Sequence, residues 1–183
     1  MIYFTADTHW GHANVIRYCQ RPYSDVADME RQLIAKWNAV VRSTDTVYHL
    51  GDFGFQKPAA LIDIMYKLNG KILLVPGNHD SKQFRNAVLG QDMNKMDVVS
   101  EYMELNENGR KIVLCHFPIE SWNNMSHGSI HIHGHSHGNS RPTMNRFDAG
   151  VDACQYEPKP LSYFLDRAGD MNTRPDRIQR EPS

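Results

Sequence analysis

The sequence predicts an α/β fold in which mixed β-sheets are flanked by helices. Five short apolar runs, each followed closely by Gly, Asp or His, predict strands because they are rich in β-branched, aromatic and leucine residues. Amphipathic patterns separate the first three runs, and a turn sequence separates two strands in the second half of the chain. The predicted strands cover residues 2–6, 46–50, 72–75, 111–115 and 129–133.

Two helices are predicted between the first three strands. The apolar residues of the first helix recur at steps of three and four, at Val26, Met29, Leu33, Trp37 and Val40. The second helix repeats this spacing over residues 61–68 and is followed by a stop signal, Asn69-Gly70. This alternation of strands and helices predicts β-α-β crossovers and therefore parallel pairing in the first half.

The second half predicts a different arrangement. Residues 98–105 and 111–115 flank the turn sequence Asn106-Glu107-Asn108-Gly109, which is typical of a β-hairpin, and few helical patterns follow until Pro160. Residues 1–165 are therefore predicted to form one domain. We expect the segment 166–183 to be a flexible polar tail, because it contains few apolar residues.

Length and composition limit the function classes. The 183 residues are enough for one domain with a sizeable core. With 20 Lys and Arg against 21 Asp and Glu, the net charge of −1 gives no electrostatic argument for a stable nucleic-acid or membrane partner. The first residues lack a basic leader, so we expect neither a signal peptide nor a membrane span. Three widely spaced cysteines favour a cytoplasmic location over a disulfide framework.

Metal-binding side chains follow each predicted strand. Because strand ends in α/β sheets converge on one crevice, the five loops can meet there. Residues two apart on an extended segment point to the same side, so each Asp-x-His or His-x-His pair can hold one ion. Aspartate together with imidazole suits Mn²⁺, with Fe²⁺, Zn²⁺ or Ni²⁺ as alternatives. The five islands are Asp7-x-His9, Gly51-Asp52, Gly77-Asn78-His79-Asp80, His116 and Gly134-His135-x-His137.

In order and spacing, these islands resemble the calcineurin-like metallophosphoesterases over residues 7–137. The resemblance implies a four-layer fold, with two mixed sheets packed face to face, helices outside and two divalent metal ions at one edge. It implies that His79 lies outside the metal shell, where it binds the phosphate or protonates the leaving oxygen, while Asp80 orients its ring. The first ion would be bound by Asp7, His9, Asp52 and His137, and the second by Asp52, Asn78, His116 and His135.

The resemblance also implies a two-metal-dependent hydrolase of phosphate esters. Two divalent ions, two carboxylates and one hydroxide sum to about +1, which attracts an anionic ester. Since the chain has no room for a second domain that grips a polymer, we first expect a phosphodiesterase acting on small or nucleotide-like substrates. A phosphomonoesterase is the next expectation, and a catalytically silent protein-interaction scaffold is the alternative outside enzymes. A nuclease is less favoured, because the resemblance implies that nucleases carry additional DNA-contacting segments.

Substrate contacts are predicted just after the first island. His12 lies at the predicted start of a helix, and a helix N-terminus attracts anions. We therefore expect His12, together with Asn14 or Arg17, to contact the substrate phosphate, and the alternative is a capping or packing role. Trp122 belongs to a loop after His116, where it can stack on a nucleobase or pack on the sheet edge.

The remaining candidates are expected to have structural roles. Three histidines lie inside strands, where core or supporting positions are more common than metal ligation. One cysteine ends an apolar run and is expected to be a buried thiol without a catalytic role. Two aspartates flank a Gly-Val pair near the end of the domain. These residues are His49, His131, His133, Cys115, Asp148 and Asp152.

Overall fold

Nine strands form two mixed sheets in the residues that this computed structural model describes, 1–141 and 143–169. The first sheet has the order β4-β3-β2-β1-β9 and is parallel except at β9, and the second has the order β5-β6-β7-β8 and is parallel except at β5. Each of the five strands predicted from the apolar runs is confirmed to within one residue at either end, and so is the parallel pairing of the first three. The strands are β1 (Ile2–Thr5), β2 (Thr46–His49), β3 (Lys71–Leu74), β4 (Met96–Val98), β5 (Tyr102–Glu107), β6 (Arg110–Cys115), β7 (Ile130–His133), β8 (Arg146–Asp148) and β9 (Lys159–Pro160).

The helices are α1 (Ala13–Tyr18), α2 (Val26–Val40), α3 (Pro58–Lys67), α4 (Lys82–Leu89) and α5 (Leu161–Leu165). Both helices predicted between the first three strands are confirmed as α2 and α3. The buried face of α2 is the predicted apolar stripe, with Met29, Leu33 and Trp37 inside. Helix α4 was not predicted, because it buries only two side chains, Phe84 and Val88.

Two hydrophobic cores define the layers. One core joins the first sheet to helices α1 to α4 and includes Tyr3 and Val47. The other lies between the two sheets and includes Phe4, Leu114 and Ile132. Tyr3 and Phe4 belong to different cores because successive residues of a strand point to opposite faces. The sheets therefore pack face to face with flanking helices, which confirms the predicted fold class.

The segment 117–128 covers the outer face of the second sheet. The ring of Trp122 is buried, lies 5.4 Å from the ring of His131, and donates a hydrogen bond of 2.9 Å to Ser129 Oγ. Trp122 therefore packs on the sheet, and the hypothesis that it stacks on a nucleobase is wrong. His131 and His133 share this face as predicted, with ring centroids 5.3 Å apart.

The predicted hairpin is confirmed, but its first strand was placed too early. Residues 98–105 do not form one strand: β4 ends at Val98 in the first sheet, and β5 begins at Tyr102 in the second. The turn between β5 and β6 contains Asn108 and Gly109, at φ values of 51° and 75°. Two successive positive φ values give the turn type whose twist matches that of a hairpin.

The beginning of the predicted tail is still packed against the domain. Ala168 contacts the core between the sheets, and the N–H of Gly169 donates a 3.0 Å hydrogen bond to Asn145 Oδ1. The rest of the predicted tail, residues 170–183, lies outside the described residues. Among the described helices, none is both long and apolar enough to cross a membrane.

Candidate metal centre

The five islands meet at one edge of the two sheets and form two groups of metal-binding atoms. In the first donor set, one ligand atom each from Asp7, His9 and His137 lies within 4.8 Å of the others. In the second donor set, the same holds for Asp52, His116 and His135. Asn78 joins the second set, because its Oδ1 lies 3.0 Å from His116 Nε2.

Asp52 lies between the two donor sets. Its Oδ2 is 3.8 Å from His9 Nε2 in the first set and 3.5 Å from His116 Nε2 in the second. Within the first set, His9 Nε2 and His137 Nε2 are only 3.3 Å apart. Nitrogen atoms that point at one another across such a gap can share one cation.

The backbone is strained where the donors lie. A positive φ in a residue other than glycine costs of order 1–3 kcal/mol, and such strain tends to cluster at functional sites. Close packing adds to the constraint, because a Cβ on Gly77 would lie 2.5 Å from Asp52 Oδ1. The strained donors are Asp7 (φ 56°), His9 (53°), Asp52 (57°), His135 (67°) and His137 (48°).

Burial and charge prepare the first donor set for a cation. Burial raises the pKa of the fully buried Asp7 carboxyl well above its usual range, and the charges of Asp148 and Asp52 raise it further. Burial also lowers the pKa of His9 to about 2, so its imidazole stays neutral and keeps a lone pair for a metal. A divalent ion would offset the mutual repulsion of the carboxylates, so these residues fit a metal.

A buried ion pair holds the first donor set in place. Asp152 Oδ2 lies 2.6 Å from His137 Nδ1, which leaves Nε2 of the ring facing the donors. The Arg21 guanidinium contacts both carboxylate oxygens of Asp152 at 2.8 Å and donates to the carbonyl oxygens of Asp7 and Thr8 at 2.7 and 3.0 Å. Burial alone would raise the pKa of Asp152, but the hydrogen bonds from His137 and Arg21 outweigh it and lower that pKa.

The second donor set is held mainly by the backbone. His116 Nδ1 lies 2.7 Å from the carbonyl oxygen of Leu50 at the end of β2, so Nδ1 carries the proton and Nε2 faces the donors. Burial lowers the pKa of His116, which favours the neutral ring. Unlike Asp7 and His9, the donors His135 and Asn78 are exposed.

Asp80 does not orient the ring of His79, and that prediction is wrong. The Asp80 carboxylate accepts hydrogen bonds of 2.8 Å from the backbone N–H groups of Asp52, Phe53 and Gly77. Asp80 is buried, and these donors satisfy it without an imidazole. Its role is to fix the loop that carries Asp52 against the loop that carries His79.

His79 is exposed beside the donors, next to an aromatic group that the sequence did not single out. Its ring centroid lies 6.0 Å from that of His9 and 4.7 Å from that of Phe55. His12 lies on the same side and stacks on Phe55 at 4.2 Å. Burial, followed by the nearby charge of His79, lowers the pKa of His12.

The other two predicted substrate contacts lie on α1. Asn14 and Arg17 are both exposed, and Arg17 lines a surface groove between α1 and the start of α2. None of the residues lining that groove belongs to either set of metal-binding residues, so a contact from Arg17 to the phosphate stays a prediction.

Cys115 is not the buried thiol that was expected. It is half-buried, because the strand end opens into a cavity beside His116 and Phe117. His49 and His133 have their predicted buried positions, and His49 Nε2 lies 2.9 Å from Thr8 Oγ1. Arg21 was missed altogether, since its partner Asp152 lies 131 residues further along the chain.

Comparison with known proteins identifies the family. A model of the calcineurin-like phosphoesterase superfamily domain matches residues 1–147. The chain belongs to this superfamily. An uncharacterised protein of Methanocaldococcus jannaschii is 37% identical over 175 residues, which cover 90% of this chain and 89% of that protein. The Gene 66 protein of Mycobacterium phage D29 is 29% identical over 196 residues, which cover 93% of this chain and 96% of that protein.

A solved structure has a similar fold. A protein of unknown function from Aquifex aeolicus matches with a TM-score of 0.66 at 25% identity, covering 86% of this chain and 94% of that one. As a calcineurin-like phosphoesterase, the chain is a hydrolase of phosphoester bonds, and its family implies divalent metal ions. The scaffold alternative is therefore set aside.

Proposed function

We propose that this calcineurin-like phosphoesterase is a two-metal phosphodiesterase acting on small or nucleotide-like substrates. The observation that carries the proposal is the position of Asp52, whose Oδ2 lies 3.8 Å from a nitrogen of the first donor set and 3.5 Å from one of the second. A carboxylate shared by two donor sets suits a pair of ions that acts on one phosphoryl group.

The donor sets suggest which residues hold each ion. The mixture of carboxylate, amide and imidazole donors suits Mn²⁺, with Fe²⁺, Zn²⁺ or Ni²⁺ as alternatives. A neutral imidazole at His9 and the neighbouring negative charges that raise the pKa of the buried Asp7 carboxyl both support this assignment. The first ion would be held by Asp7, His9, Asp52 and His137, and the second by Asp52, Asn78, His116 and His135.

The protein's own residues position the ester and move a proton. When bound, the two ions supply a water nucleophile of lowered pKa and neutralise charge on the phosphoryl oxygens. The backbone N–H of His79 donates a 2.9 Å hydrogen bond to Asp52 Oδ1 and fixes the position of this residue. The exposed His79 ring can then protonate the leaving oxygen or bind the phosphate. His12, stacked on Phe55 beside His79, is the substrate contact that we assign to this side.

Exposed side chains on one side of the donors and a cavity on the other support a diester over a monoester. One side contains His79 and Phe55, and the other contains a cavity that reaches Asn78 and His116. A diester has two organic arms and can use both sides, whereas a phosphomonoester has one arm and would leave one side empty. A phosphomonoesterase remains the alternative within this family.

We also propose a cytoplasmic setting without a stable nucleic-acid or membrane partner. The three cysteines are free thiols, which supports a reducing compartment. The net charge of −1 gives no broad attraction to phosphate polymers or anionic lipid.

The proposal is tested by hydrolysis of bis(p-nitrophenyl) phosphate and p-nitrophenyl phosphate by metal-stripped protein refilled with Mn²⁺. We expect faster turnover of the diester and its loss in Asp52→Asn. His79→Ala should lower turnover of a dialkyl phosphate, whose leaving alkoxide needs a proton, by about 100-fold, a typical contribution of a proton donor, and should lower that of the p-nitrophenyl diester less. Asp63→Asn and His127→Ala are matched controls at exposed positions and should leave turnover unchanged. Faster turnover of the monoester would favour the phosphomonoesterase, and no turnover by folded, metal-loaded protein would reject the proposal.

A further inference from the structure

A cavity of about 340 Å³ lies beside the second donor set. Small-molecule sites usually measure roughly 300–1,000 Å³, so it is large enough to bind part of a substrate. Its lining is mostly apolar. The residues that line it include Pro76, Asn78, Tyr102, Cys115, His116 and Phe117.

Two aromatic side chains line this cavity and are exposed. Tyr102 is 42% exposed and Phe117 is 44% exposed. The ring of Phe117 lies 4.9 Å from that of His116 and 4.8 Å from that of His135, so it contacts the second donor set directly. Exposed aromatic rings next to a phosphate-binding centre are suitable surfaces for stacking a base.

The position of His79 determines which arm of a diester can enter the cavity. The His79 ring faces His9 and Phe55, at centroid distances of 6.0 and 4.7 Å, and is therefore on the side of the first donor set. The leaving oxygen must lie within reach of the group that protonates it. The leaving arm then extends toward Phe55, and the arm that stays on phosphorus extends toward Phe117.

We propose that the cavity binds the retained arm of the diester and that this arm is a nucleoside whose base stacks on Tyr102 or Phe117. This inference rests on the proposed function and deepens it by naming the substrate class. In the reaction, water adds to phosphorus, the bond from phosphorus to the leaving oxygen breaks, and that oxygen takes a proton. The products are a nucleoside monophosphate and the alcohol of the leaving arm.

Two substrates with the same leaving group test the inference. The p-nitrophenyl ester of thymidine monophosphate and methyl p-nitrophenyl phosphate release the same p-nitrophenol, but only the first has a nucleoside as its retained arm. We expect a lower KM for the thymidine ester. In Tyr102→Ala or Phe117→Ala this preference should fall by about tenfold, because a stacked base typically contributes that much. Tyr66→Ala, which removes an equally exposed aromatic residue from α3, should keep the preference.

The thiol of Cys115 provides a second measurement that needs no turnover. Iodoacetamide should label this half-buried thiol in the Mn²⁺-loaded wild-type protein, and peptide mass spectrometry separates it from Cys19 and Cys154. Thymidine monophosphate should slow labelling of Cys115 by about tenfold at a concentration about ten times its Kd. Inorganic phosphate is the matched control, because it should occupy the donors without filling the cavity.

The outcomes separate this inference from the proposed function. Equal kcat/KM for the two esters, together with unprotected Cys115, would overturn the nucleoside site while leaving the phosphodiesterase intact. Absence of turnover of both esters would reject the phosphodiesterase, and protection of Cys115 would still decide whether the cavity binds a nucleotide. If an alanine variant unfolds, Phe117→Leu and the wild-type labelling experiment still provide the test.

Discussion

The two donor sets are supported in different ways. The first depends on a charged pair, because Arg21 holds Asp152 and Asp152 holds His137. The second depends mainly on backbone groups, since the carbonyl oxygen of Leu50 holds His116, and the N–H groups of Asp52 and Gly77 are held by the Asp80 carboxylate. The first set is the more deeply buried, and the second opens to the cavity. This difference suggests that the first set holds its ion firmly, while the second leaves room for the substrate.

Removing the residue shared by both sets should have the largest effect. Asp52→Asn removes the carboxylate that lies between the two sets, so the protein should bind both ions more weakly. We expect diester turnover to fall by about 1,000-fold, because two bound ions contribute several kcal/mol to such reactions. Metal analysis of the purified variant should find fewer than two ions per chain. Retention of both ions at full activity would contradict a shared role.

Breaking the charged pair should impair the first set alone. Asp152→Asn leaves the buried Arg21 charge without its partner, which typically costs about 3 kcal/mol of unfolding free energy. His137 also loses the group that orients it, so activity should fall by about 10- to 100-fold. We expect this variant to keep one ion per chain, as measured by mass spectrometry of the metal. If it bound two ions as tightly as wild type, the proposed division into two sets would be wrong.

Metal removal should lower the melting temperature, and this effect should be smaller than the effects expected for Asp52→Asn and Asp152→Asn. A ligand at about 100 times its Kd stabilises by about 2.7 kcal/mol, which corresponds to a Tm shift of about 5–10 °C for a chain of this size. Chelation with EDTA should therefore lower Tm by that amount, and added Mn²⁺ should restore it. Calorimetry of wild type and Asp152→Asn would compare the two donor sets. When Mn²⁺ is added back, the Tm of the variant should rise by only part of the wild-type shift, because its first set is impaired. An unchanged Tm after complete chelation would argue against metal binding in the folded protein.

Mild acid should destabilise the protein through buried neutral histidines, which lie in both regions: His9 in the first donor set and His131 in the second sheet. Burial lowers the pKa of His131 from 6.5 to about 4, so its contribution to stability is fully present above 6.5 and is lost as pH falls toward 4. The pKa of Asp152 is lowered below 3.8, so the charged pair weakens only in stronger acid. In metal-free protein, we expect His131 alone to contribute about 1.4 kcal/mol per pH unit to the fall in stability within this window, and His9 and His49 to add to it.

Urea unfolding of wild type and His131→Gln across this pH range measures the effect. The glutamine side chain does not titrate, so the variant should have the shallower pH dependence. The exposed His127→Ala serves as the control and should retain the wild-type slope. Equal slopes in wild type and His131→Gln would show that another group is responsible.

Local patterns predicted much of the fold. Helices α2 and α3 and all five predicted strands were found from apolar periodicity, because a buried face repeats at a fixed spacing. Helix α4 was missed because it buries only Phe84 and Val88, and β8 and β9 are too short for a pattern to develop. The segment 98–105 was assigned to one strand because sequence alone does not reveal where a chain crosses from one sheet to another.

The chemical types of the donors, their order along the chain and their places after strands were determined by the sequence alone. Tertiary structure decided how the donors are held. Asp80 ties two loops together through backbone N–H groups, and Arg21 reaches Asp152 across 131 residues of chain. Cys115 opens into a cavity that requires residues from the second sheet and from the loop after β3. Residue type and spacing act locally, whereas hydrogen-bond partners, burial and strained backbone arise only when distant segments pack together.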